Sequence, residues 1–178
     1  MIKQELLDAM NDQINYELES SYIYLSMAAY FASMNLDGMA HWMRVQAHEE
    51  IIHAMKFFDH IIDRGEKVIL KDVKQLKTNW SNPKQVWDNA YEHEQLITSR
   101  INNLMSIARK LQDFTSEPLL QWFVNEQIEE EVNTSKISQQ MALIKEDSQG
   151  LFMLDAQLAT RSFPAGSCFD PTAYNVAN

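Results

Sequence analysis

The sequence predicts an all-α protein: a four-helix bundle with a long crossover between its second and third helices and a short fifth helix near its C-terminus. Three observations carry that expectation. Only four glycines and four prolines punctuate the 178 residues, and none interrupts a long periodic segment. Between these breaks, apolar residues return at alternating steps of three and four, the period of a helix with one buried face. One apolar linker, Glu66 to Ser81, is far longer than an ordinary helix–helix turn.

The first helix is expected over about residues 3–34, with the stripe Met10, Ile14, Glu17, Ser21, Tyr24, Ala28, Phe31. Asn35, Asp37 and Gly38 break it, and Asp37 reads as the N-cap of the second helix. That helix spans about 38–64, with Met39, Met43, Gln46, Glu50, His53 and Phe57 on one face. Gly65 ends it, preceded by Arg64, a cation suited to a helix C-terminus. The linker carries Val68, Ile69, Leu70, Val73, Leu76 and Trp80, too apolar for a flexible tether. A helix of about 27 residues is roughly 40 Å long. About 16 extended residues reach roughly 50 Å. The linker can therefore return along the bundle and leave the second and third helices parallel.

The third helix is expected over 83–112. Asn82 is its N-cap, Pro83 its first residue and Gln85 a capping-box partner. Its stripe is Trp87, Ala90, Glu94, Ile97, Ile101, Leu104, Ala108, Leu111. The fourth, over 116–146, opens at Thr115-Ser116-Glu117-Pro118 and carries Leu120, Phe123, Gln127, Glu130, Thr134, Ile137, Met141 and Ile144. Gly150 begins the fifth, 150–161, with Leu151, Leu154 and Leu158 on one side. Residues 1–161 read as one domain and 162–178 as an irregular tail.

Composition narrows the function. With 46% hydrophobic and 22% charged residues the chain is globular. A net charge of -10 argues against nucleic acid, whose phosphates need a basic surface, and favours cations. Solubility accounts for the same acidity equally well. The single cysteine, Cys168, excludes an internal disulfide and a cysteine-rich metal site. The N-terminus lacks the apolar core of a signal peptide, and no apolar run is long enough for a membrane span. No membrane partner and a cytoplasmic setting are the expectations.

Chemistry enters where the apolar stripes are interrupted. The second helix contains His48-Glu49-Glu50-Ile51-Ile52-His53, and within it Glu50-x-x-His53 places a carboxylate and an imidazole on one face. The other stripes break at Glu17, at Glu94, and at Gln127 with Glu130. Each break lies about 11 to 14 residues into its helix, roughly 16 to 21 Å along the axis, so packed helices bring them to one level. Four carboxylates in an apolar core must be protonated, hydrated or bound to cations. Two divalent cations would balance them. A Glu from each of two helices with Glu-x-x-His variants from the others is the di-iron or di-manganese bundle arrangement. Oxygen and imidazole donors together suit non-haem iron better than structural zinc. A hydrated polar layer that only fixes helix pairing is the plainer reading, but such devices commonly use one polar residue.

Glu17, Glu50-x-x-His53, Glu94 and Gln127-x-x-Glu130, with the crossover and the fifth helix, resemble the bacterial non-haem ferritins of the ferritin-like di-iron family over residues 1–161. The resemblance implies a ferroxidase centre. Glu17, Glu50 and His53 would hold one iron and Glu50, Glu94 and Glu130 the other, with Glu50 bridging. Gln127 would be a weak partner. Tyr24 matches a tyrosine near that centre, and also reads as an ordinary core aromatic. A third iron site is implied at Glu49, Glu126, Glu129 and Glu130; Glu126, Glu129 and Glu131 read equally as a solvated acidic face. Trp122 reads as packing.

No haem is expected. Bacterioferritins look similar but repeat Glu-x-x-His on the fourth helix, where this chain has Gln127-x-x-Glu130, and Ile51 stands where their haem-ligating Met would be. Rubrerythrins need a cysteine-rich iron domain. The implied function is an iron-storage ferroxidase. It would oxidise Fe(II) with dioxygen, two irons per subunit, and deposit hydrated ferric oxide in a homo-oligomeric, 24-subunit shell. A soluble di-iron oxidase or peroxidase without storage is one alternative. A metal-free helical interaction module is another.

Overall fold

The computed structural model describes residues 1–73, 77–145, 147–164 and 167–170. Its helices are α1 (Gln4–Ser33), α2 (Asp37–Asp63), α3 (Pro83–Lys110), α4 (Glu117–Ile144) and α5 (Ser148–Leu158), with no strand among the described residues. Leu76 of the linker, the expected end of the fourth helix at residue 146, and residues 165–166 and 171–178 of the tail lie outside the described residues.

The helix ends follow local chemistry, with two differences from the expected caps. Asp37 is the first residue of α2 rather than its cap, and Leu36 precedes it. The carboxylate of Asp155, on α5, accepts from the backbone N–H of Gly38 at 3.1 Å and of Met39 at 2.8 Å. Two orphan donors of α2 are thus satisfied from a distant element rather than by a local side chain. A Cβ on Gly38 would sit 1.8 Å from the Asp155 carbonyl oxygen, so glycine is what lets α5 approach. Ser116 precedes α4, but its hydroxyl donates to Asp113 instead of capping the helix.

Other signals act as read. Gly65 (φ 74°) closes α2, with Glu66 N–H bonded to Ile61 O at 3.1 Å. Arg64 closes the last turn through its backbone N–H, bonded to His60 O at 3.1 Å, while its side chain grips Asp113 at 3.0 Å and ties α2 to the α3–α4 turn. Asn82 accepts from Gln85 N–H at 2.9 Å, and Gln85 Oε1 accepts from Ser81 N–H at 2.9 Å.

Two apolar clusters reveal the topology. One gathers Tyr24, Phe31, Met39, Trp42, Trp87 and Met141, closed at its end by Leu154 and Leu158 of α5. The other gathers Leu6, Met10, Phe57, Ile101, Leu104 and Phe123. Early α2 therefore meets early α3, and late α1 meets late α4. The pairs α2/α3 and α1/α4 each run parallel, as a crossover requires. The linker climbs α1 to make that return. Ile69 N–H donates to Asn11 Oδ1 at 2.7 Å and Lys71 N–H to Asn15 Oδ1 at 3.0 Å, and the Ser26 hydroxyl donates to Lys77 O at 2.8 Å. Among the described residues no helix is long and apolar enough to cross a membrane.

Candidate metal centre

Between the two apolar clusters lies a polar layer. The stripe positions bring Glu17 (0% exposed), Glu50 (2%), His53 (4%), Glu94 (1%), Gln127 (3%) and Glu130 (3%) into it, where water cannot solvate their charges. His53 Nδ1 lies 3.4 Å from Glu50 Oε2, and its Nε2 lies 3.8 Å from Glu126 Oε1. Tyr24 donates its phenol proton to Glu94 Oε1. Gln127 Nε2 donates to the Glu94 carbonyl at 3.2 Å and to Oε2 at 3.3 Å. Buried Oε2 atoms of Glu17 and Glu130 have no hydrogen-bond partner among the described residues.

Two glutamines complete the layer, and neither was assigned a role from sequence. Gln13 Nε2 donates to Glu17 Oε1 at 2.8 Å. Gln46 Nε2 donates to Glu50 Oε1 at 2.9 Å and to Glu130 Oε1 at 2.8 Å. The signal was present: Gln13-x-x-x-Glu17 and Gln46-x-x-x-Glu50 repeat one spacing, and positions four apart are neighbours on a helix.

Electrostatics follow from the burial. Desolvation, helped by the charge of Glu50, pushes the Glu17 carboxyl up to about 8. Desolvation and Glu50 likewise push Glu94 up to about 8. Glu130 is raised well above its ordinary value by burial and by Glu94 and Glu50. Burial would raise Glu50 too, but the hydrogen bond and charge of His53 and the Gln46 amide hold it below normal. Burial disfavours the His53 cation, yet hydrogen bonds to Glu126 and Glu50 and the charges of Glu50 and Glu17 raise it well above normal. At neutral pH the metal-free layer is thus an ionised Glu50–His53 pair among protonated acids.

Among the described residues two sets of donors converge: Glu17, Glu50 and His53; and His53, Glu126 and Glu130. In each, one ligand atom per residue lies within 4.8 Å of the others, so each set could hold a metal ion. Glu94 belongs to neither set and joins the layer through Tyr24 and Gln127. Glu49 is half-buried, and its Oε2 is 2.5 Å from Arg161 Nη2. Glu126 is half-buried, whereas Glu129 is exposed. Glu131 accepts from the Thr98 hydroxyl at 2.6 Å. Trp122 packs edge-on against His53 at 5.6 Å, with Lys56 Nζ 4.2 Å from its ring centre.

A family model described as a ferritin-like domain matches residues 7–144. The chain is 35% identical over 163 residues to a bacterial non-heme ferritin of Staphylococcus saprophyticus, covering 92% of this chain and 98% of that one. It is 35% identical to a bacterial non-heme ferritin of Bacteroides fragilis, covering 90% and 100%. Among solved structures it superposes on an open pore ferritin from the archaeon Archaeoglobus fulgidus with a TM-score of 0.90 and 42% identity, covering 91% of this chain and 100% of that one.

Proposed function

The chain belongs to the ferritin-like family, and on that premise we propose that it is an iron-storage ferroxidase. One observation carries the reading. Five donors from four helices meet in a layer closed to water, and two carboxylate oxygens there have no partner among the described residues. The His53 cation is already paired with Glu50, so protons on Glu17, Glu94 and Glu130 hold the place of a cationic substrate.

Fe(II) is that substrate. Glu17, Glu50 and His53 would take one ion. Glu50, Glu94 and Glu130 would take the other, with Glu50 shared and Gln127 steadying Glu94. Carboxylate-rich donors favour the ferric over the ferrous ion. Each Fe(II) gives one electron, so an adjacent pair offers two electrons to one dioxygen. Tyr24 keeps its proton, because burial and Glu94 push its phenol far above the ordinary range, and it holds Glu94 from outside the ion pair. With the imidazole on one ion only, the other is held less firmly. That favours release of ferric product over a permanent cofactor.

Storage requires a container. A homo-oligomeric shell of 24 subunits, with α5 near its four-fold axes, fits the apolar side chains left on the surface. Phe114, Leu143, Phe152 and Met153 are all exposed on the single chain, which is costly unless neighbours cover them. A third ion at Glu49, Glu126, Glu129 and Glu130 would have to free Glu49 from Arg161.

The test adds Fe(II) in air to the purified protein. Oxidation much faster than in buffer, lost in Glu50→Ala, with growth of a ferric mineral, is the expected result. Size-exclusion chromatography should give about 500 kDa for 24 subunits of 20.7 kDa. Oxidation no faster than buffer would overturn the ferroxidase. Fast oxidation by a monomer or dimer, with iron retained but no mineral, would favour an oxidase without storage.

A further inference from the structure

Arg161 follows α5, yet its side chain reaches back to α2. Nη2 meets Glu49 Oε2 at 2.5 Å, and Nη1 donates to Gln46 Oε1 at 2.8 Å. The guanidinium lies 4.2 Å over the Trp42 ring, and its own backbone carbonyl meets His41 Nε2 at 2.5 Å. These contacts fix the charged head in one place. They also fix Gln46. With its carbonyl oxygen facing the guanidinium, its amide nitrogen must face Glu50 and Glu130. Turned over, it would set N–H against a cation and oxygen against the ionised Glu50. Arg161 therefore acts on the layer without touching Glu50 or Glu130.

The same device occurs on α1. Arg100 Nε donates to Gln13 Oε1 at 3.0 Å, and Gln13 Nε2 donates to Glu17. Arg100 stacks 3.3 Å over Tyr16, as Arg161 stacks over Trp42. Among the described residues Arg161, unlike Arg100, also pairs with a carboxylate, Glu49, beside the layer.

We infer that Arg161 is a tethered cation standing where a third divalent ion would bind at Glu49, limiting the centre to two ions while it holds Gln46 against Glu50 and Glu130. The inference rests on reading the layer as a two-ion centre. An ion arriving at Glu49 meets a fixed positive charge at contact distance and a carboxylate oxygen already taken. The guanidinium is part of the same chain, so it loses no translational freedom in binding and competes at high effective concentration.

The experiment is an anaerobic calorimetric titration of the metal-free assembled protein with Fe(II), read as equivalents per subunit. The native protein should take two. Arg161→Gln should take three, and so should Arg161→Met, which keeps an apolar stem over Trp42. Arg161→Lys restores a charge and should return to two. The double variant Arg161→Gln/Glu49→Gln should also return to two, which assigns the extra ion to Glu49. Three equivalents in the native protein would overturn the inference, as would two in both neutral variants with native helicity. No uptake by the native protein would overturn the two-ion reading and this inference with it.

Discussion

The phenol of Tyr24 on α1 donates to the carboxylate of Glu94 on α3, joining two helices across the bundle at the level of the polar layer. Glu94 Oε2 accepts in turn from Gln127 on α4. The orientation of Glu94 is thus set by residues that are not themselves carboxylate or imidazole donors. Tyr24→Phe keeps the ring among Trp42 and His93 and removes only the donor. Loss of such an outer partner weakens metal affinity by roughly 10–100-fold. Anaerobic Fe(II) titration should show one of two ions weakened by that amount, with the other unchanged. Equal affinities in both proteins would remove Glu94 from the donor set.

Stability of the metal-free protein should fall as pH rises. Glu17 and Glu94 titrate near 8 in the folded chain against an ordinary 4.5. Between those values the folded state binds more protons than the unfolded one, so its advantage is full below about 4.5 and is lost through about 8. His53, also raised, acts in the same direction from 6.5 upward. Glu50, lowered, has the opposite sign, and its contribution is lost only at acid pH. A loss of a few kcal/mol lowers Tm by roughly 5–10 °C in a chain of this size. Differential scanning calorimetry at pH 6 and pH 9 measures it. Saturation with Mn(II) should flatten the dependence, because the ions then replace the protons.

Ion uptake should release protons. Glu17 and Glu94, pushed up to about 8, hold protons at neutral pH in the metal-free layer, and Glu130 and His53 are raised in the same direction. Filling the centre with divalent ions should expel about two protons per subunit or more, since ligands bind deprotonated. Calorimetry in two buffers of different ionisation enthalpy counts them. Release of fewer than about one proton would contradict a protonated layer.

The seat of α5 depends on one glycine and one aspartate. Gly38→Ala drives a methyl into the Asp155 backbone and should displace α5. Asp155→Ala removes the two hydrogen bonds that cap α2 and should cost about 1 kcal/mol. Thermal denaturation should therefore rank the alanine at position 38 as the worse of the two. The reverse order would mean that α5 shifts at little cost.

Fold class and the buried donors were legible because both are periodic. A single stripe per helix placed Glu17, Glu50, His53, Glu94, Gln127 and Glu130 at one level, and the structure buries all six together. The crossover was legible from length alone. Contacts between elements distant in sequence were not. Nothing near Asp37 announces that Asp155 will cap its helix, and nothing near Glu49 announces Arg161, 112 residues later. Polar contacts across such separations depend on side-chain reach, which no local pattern encodes. Gln13 and Gln46 fall between these cases: their spacing to Glu17 and Glu50 was visible, but their meaning needed the third dimension.

The apolar interior is split into two clusters with the carboxylate layer between them. Each end therefore has its own grip on all four helices, and neither grip depends on the charge state of the middle. Such a molecule has a soft waist and two firm ends. Amide hydrogen exchange on the metal-free chain should be slowest around Phe31 and Phe57 and faster near Glu17 and Glu94. Ions bound in the waist would close that difference and act, while bound, as structural members of the bundle.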